Sequence, residues 1–125
     1  MSGGLALLVW SCGPDAPERA ATPFVVAQAA AALELEVEML FTAQAVQWLL
    51  ASQQETPVGF GAERQPVRRY LDACADAGVQ MRACGQALAG LGLGREALAP
   101  QCAGIGGTVS FVERQHQPSW RALVF

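Results

Sequence analysis

Short apolar runs, set apart by stretches long enough for helices, constrain this chain more than any other feature. Leu5-Ala6-Leu7-Leu8-Val9-Trp10 carries no charge, the pattern of a strand covered on both faces. Glu36 to Phe41, Val79 to Ala83 (stopping at Cys84) and Trp120 to Phe125 read as further strands, and Ala103 to Ile105 as a brief one. Between them, Thr22 is placed to cap a helix with Pro23 in its first turn, running to about Leu33. Ala43 to Ser52 reads as a second helix. Pro66 opens a third, ending at Gly78, with Val67, Tyr70, Leu71 and Cys74 on its apolar face. On its wet face Arg68 and Asp72 are spaced for an i,i+4 pair. Gly85 to Leu91 forms a short helix, and Gly106 and Gly107 lead into another that ends near Gln115. Gln53 to Gln65, with Pro57, Gly59 and Gly61, is the longest loop. Strands alternating with helices over 125 residues predict one α/β domain, a mostly parallel sheet with helices on both faces.

Charge narrows the partners. The net charge is −3, there is no lysine, and the eight arginines are scattered. Nucleic-acid binding needs a dense cationic surface to displace counterions, so no direct nucleic-acid contact is expected. No apolar run reaches the ~18 residues of a membrane span. The first apolar run is short and has no basic residue before it, unlike an export signal. Four cysteines, Cys12, Cys74, Cys84 and Cys102, are therefore expected as free thiols in a reducing cytoplasm rather than as a disulfide framework.

Cys84 carries the chemistry in this reading. It stands where a strand ends and a helix begins, and ligand sites in open α/β sheets gather beyond the carboxyl ends of strands. Free N–H groups at a helix start favour thiolate, the nucleophilic form. Gly85 leaves room for a reactant to approach the backbone. Arg82, two positions earlier, is aimed by the pleat at the same face. A buried structural cysteine is the competing account.

The segment Gly78-Val79-Gln80-Met81-Arg82-Ala83-Cys84-Gly85-Gln86-Ala87-Leu88-Ala89-Gly90-Leu91-Gly92-Leu93 resembles the signature stretch of the DsrE/DsrF-like family. Ile105-Gly106-Gly107-Thr108-Val109-Ser110-Phe111 is similar to that family's glycine pair before the last helix. The alanine-rich helix feeding a strand that ends in Phe41-Thr42, and the terminal strand ending in Phe125, also match in order and spacing. The resemblance implies a three-layer α/β/α sandwich with a five-stranded sheet. It also implies assembly into dimers, trimers or hexamers, with a trimer favoured. Several members carry sulfur as a persulfide on the cysteine matching Cys84 and pass it to relay partners, while others have no assigned activity or lack the cysteine. No cofactor is implied.

Two cysteines depart from the family pattern. Cys12 lies in the first loop and Cys102 lies 18 residues after Cys84. Either could resolve an oxidised Cys84 or accept its sulfur, and either could be a small apolar filler. Cys74, on an apolar helix face, reads as core. Three functional classes stay open: a sulfur carrier or sulfurtransferase using Cys84, a thiol-redox protein pairing Cys84 with Cys102 or Cys12, and a non-catalytic oligomeric binding module. No C-x-x-C or H-x-x-x-H spacing supports a metal site, and His116 stands alone. Glu34, Glu36 and Glu38 alternate as a solvated strand start. Gly106 and Gly107 have modest anion-binding potential at the following helix. Thr22 to Leu33 and Met39 to Gln54 contain no charge. A monomer's surface helix shows a polar stripe, so both runs are expected to bury a second face in a homo-oligomer.

Overall fold

The structure, a computed structural model, describes residues 3–125. Along the chain the elements are β1 (Gly4–Val9), α1 (Ala21–Ala32), β2 (Glu36–Phe41), β3 (Pro57–Val58), β4 (Gln65–Pro66), α2 (Val67–Asp76), β5 (Gln80–Cys84), α3 (Gly85–Gly90), β6 (Gly104–Gly106), α4 (Thr108–His116) and β7 (Trp120–Val124). The main sheet has the order β6-β5-β2-β1-β7, and every pair in it is parallel. β3 and β4 form a separate antiparallel pair inside what reads from sequence as one long loop.

The pleat sorts the strand residues onto two different faces. Leu5, Leu7, Val9, Val37, Met39, Phe41, Met81 and Ala83 join the main core with Phe24, Ala27 and Ala30 of α1 and Val67, Leu71 and Cys74 of α2. Phe24 stacks on Phe41 and on Tyr70, with ring centroids 5.5 and 5.8 Å apart. The opposite face carries Ala6, Glu38, Leu40 and Arg82 and is roofed by Ser110 and Phe111 of α4. There Glu38 accepts 2.8 and 3.3 Å hydrogen bonds from the Arg114 guanidinium, which lies 4.4 Å over the Trp120 ring. A side chain at Gly4 would collide with that ring, so glycine there lets Trp120 fold across β1.

Two local expectations are corrected and a third is refined. Thr22 does not cap α1: a 3-10 turn at Pro17–Arg19 runs into the helix, Ala20 is the cap, and Thr22 lies inside the first turn, exposed. Ala43–Leu49 is a 3-10 segment, not an α-helix. Its apolar side chains Ala45, Val46, Trp48 and Leu49 are buried within this subunit, so its lack of charge reflects the chain's own core. The Arg68–Asp72 pair is present at 3.9 Å, but Arg68 makes its closer contact to Glu55, at 2.8 Å.

Candidate functional site

Cys84 is both the last residue of β5 and the cap of α3, with an extended backbone (φ −64°, ψ 122°) that turns the chain from strand to helix. It is 4% exposed. Burial works against its thiolate. A hydrogen bond from Thr42 and others from the backbone N–H groups of Ala87 and Gln86 outweigh that cost and hold its pKa below the ordinary thiol value. The sheet brings Thr42 there. Phe41 pairs with Ala83 in parallel register, so the residue that follows β2 stands beside Cys84. Sequence reasoning missed Thr42. The available signal was its place at the carboxyl end of the neighbouring strand, which becomes visible only once β2 and β5 are known to be adjacent.

The other three thiols go the opposite way, each raised chiefly by burial. Cys74 sits in the core with its pKa pushed up to about 12, and its Sγ lies 3.6 Å from the Phe24 carbonyl oxygen, to which the S–H donates. Cys12 is buried in the core beneath the first loop, and its carbonyl accepts a 2.6 Å hydrogen bond from Trp48 Nε1. The strand before it, β1, is separated from β5 by β2.

Cys102 precedes β6, whereas Cys84 pairs with Gly106 at that strand's end. Gly104 already stands opposite Arg82, two positions back, and Cys102 is two residues further. The Cys102 thiol nevertheless meets the backbone of Ala83, the residue before Cys84.

Arg82 shares the face of Cys84 by alternation but is not among the groups acting on its thiol; its charge acts on Cys102. Gly85 does not open onto free space, since a Cβ there would lie 3.2 Å from Ile105 Cγ2. Gly107 caps α4 with no side-chain hydrogen bond, and Gly106 packs against the stem of Arg82. His116 lies at the end of α4, exposed. Among the described residues no group of three or more His, Cys, Asp or Glu is arranged to hold a metal, and no helix is long and apolar enough to cross a membrane.

The sequence profile of the DsrE/DsrF-like family matches residues 6–125. The chain belongs to the DsrE/DsrF-like family. Its fold is shared by the YchN protein from E. coli, with a TM-score of 0.76, 18% identity, and coverage of 98% of this chain and 99% of that one. It is shared too by MTH1491, a protein of unknown function from Methanobacterium thermoautotrophicum, with a TM-score of 0.70, 14% identity and the same coverage. At these identities the likeness carries the DsrE-like fold alone. No curated protein matches the chain.

Proposed function

We propose that this protein is a sulfur carrier or sulfurtransferase that holds a persulfide on Cys84. The observation that carries the reading is the set of three donors on the Cys84 sulfur, from Thr42, Gln86 and Ala87, which make it the one cysteine whose thiolate is favoured. Thiolate is the nucleophile that attacks a sulfane sulfur. A persulfide is an anion as well, so it draws on donors of the same kind.

In this reading the protein works in a reducing cytoplasm as a homo-oligomer, a trimer before a dimer or hexamer, and hands sulfur to a relay protein. The outer face of α1, where Thr22, Val25, Ala29 and Ala32 are exposed and uncharged, supports assembly. The four free thiols suit a reducing compartment. Incubation with a low-molecular-weight persulfide should add ~32 Da, one sulfur, to the Cys84 peptide. Cys84→Ser should abolish the addition with the fold intact. Addition at another cysteine in preference to Cys84 would overturn the reading and leave a binding module as the better account.

A further inference from the structure

We propose that the crevice at the carboxyl ends of β1 and β7 binds a small aromatic carboxylate, with Phe60 and Phe125 against its ring and Arg19 on its acid group. This site is separate from the persulfide reading and does not depend on it. From β1 the chain steps to β2, β5 and β6 in one direction across the sheet, then returns to β7 on the far side of β1. The strand order therefore reverses between β1 and β7, and open α/β sheets gather their ligands outside the strand ends at such a point. A pocket of about 390 Å³ lies there, lined by Ser11 and Cys12 after β1, by Phe125 after β7, and by Phe60 from the loop between β3 and β4. That volume is near the lower end of the ~300–1,000 Å³ of small-molecule sites, so a ligand of one or two fused rings suits it. Cys84 closes β5, which is two strands away from β1.

The segments that line the pocket are tied down. Phe125 N–H donates to the Leu8 carbonyl at 2.8 Å, and Trp10 N–H donates to the Phe125 carbonyl at 2.8 Å. Trp48 Nε1 holds the Cys12 carbonyl at 2.6 Å. Gly59 N–H donates to the Pro17 carbonyl at 2.9 Å, which pins the residue before Phe60 to the turn that carries Arg19. Phe60 is nonetheless 81% exposed. A single exposed apolar side chain is ordinary on a protein surface. This one is different, because it borders a concave site that holds a second phenyl ring.

Charge selects the ligand. Arg19 is exposed and makes no ion pair among the described residues. Its charge reaches the Cys12 thiol, whereas Glu18 is not among the groups acting on that thiol. The cation thus overlooks the floor of the pocket, and Glu18 is an exposed residue at its rim. The hydroxyls of Ser11 and Thr22 line the same pocket. An aryl acid meets all of these groups: phenyl rings for its own ring, a guanidinium fork for its two oxygens, and hydroxyl donors beside them.

The test titrates 2-naphthoate and 2-naphthamide, the same ring with and without the charge, into the protein and follows amide resonances. Naphthoate should saturate at one per chain and shift Ser11, Cys12, Arg19, Thr22 and Phe60. It should bind about threefold to tenfold tighter than the amide, the worth of a partly exposed charge-assisted contact, and Arg19→Gln should bring that ratio close to one. Phe60→Ala should weaken both ligands about tenfold. Both side chains are exposed, so neither substitution disturbs the core. Cys84→Ser should leave all of these values unchanged, so this test and the persulfide test fail separately. Absence of naphthoate binding at millimolar concentration overturns the assignment. Shifts confined to Val25, Ala29 and Ala32 on α1, or an acid-to-amide ratio that survives Arg19→Gln, overturn it too. The same holds if Phe60→Ala lowers the mass in sedimentation equilibrium and leaves naphthoate binding alone, since a second copy then covers Phe60.

Discussion

Thr42 and Cys84 illustrate how a single hydroxyl sets a residue's chemistry. Burial alone would push the Cys84 thiol up, as it does for Cys12, Cys74 and Cys102. The Thr42 hydrogen bond and two backbone N–H groups reverse the direction. Thr42→Val keeps the shape and removes the donor. Alkylation of Cys84 by iodoacetamide at neutral pH should then slow roughly tenfold, the cost of losing a hydrogen bond to a charged group, while the fold survives. An unchanged rate would show that the backbone donors suffice. Cys74 makes the opposite prediction. Its folded pKa, about 12, lies above the ordinary 9.0, so the folded state prefers the neutral thiol. The associated stability is fully present below pH 9 and is lost as pH rises from there towards 12. Thermal unfolding midpoints should fall over that alkaline window, and less steeply in Cys74→Val, whose side chain cannot ionise.

The elements show which parts of the fold are legible in a sequence. β1 falls within one residue of the uncharged run Leu5–Trp10, because a parallel strand buried on both faces shows as a continuous apolar run. Ala43–Leu49 misleads because Ala45, Val46, Trp48 and Leu49 recur at a spacing that suits one face of either helix type. Tertiary links decide between them: Ala99 N–H donates to the Leu49 carbonyl at 2.8 Å, and Leu50 bridges to Leu98. Ala43 starts the segment at φ +49°, a left-handed conformation that a helical pattern does not announce. The Glu38–Arg114 ion pair was hidden for a similar reason, since the two residues lie 76 positions apart and meet only when α4 packs on the sheet. Trp48 ties this segment to the first loop through its bond to the Cys12 carbonyl. Trp48→Phe leaves that buried acceptor unpaired and opens space. It should cost about 2 kcal/mol in urea unfolding, the typical price of an orphaned polar group. A loss below a few tenths of a kcal/mol would mean that water replaces the indole.

At the scale of the molecule, the two faces of the sheet are unequally covered. One is packed by α1, α2 and the 3-10 segment, the other chiefly by α4, which contributes no buried residue. Charge is also unevenly placed. α4 carries Glu113, Arg114 and His116, whereas the whole of α1 is uncharged. α1 buries Phe24, Ala27 and Ala30 inward, yet outward it leaves Val25 53% exposed, and Leu33 just beyond it 70% exposed. A helix apolar on both sides ordinarily has a neighbour on both sides. Met39–Gln54, the second uncharged run, finds its neighbours within the subunit, so α1 is the face left for a second copy. Sedimentation equilibrium at micromolar concentration should therefore give a mass above that of one chain. Val25→Glu combined with Leu33→Glu should shift it towards the monomer, because two desolvated carboxylates facing their symmetry mates have no partner. Circular dichroism should stay unchanged, since both side chains are already in water within the isolated subunit. A wild-type monomer at that concentration refutes assembly outright. An oligomer indifferent to both substitutions moves the interface to the thinly covered face, where Val109, Val112 and Val124 are the exposed apolar residues.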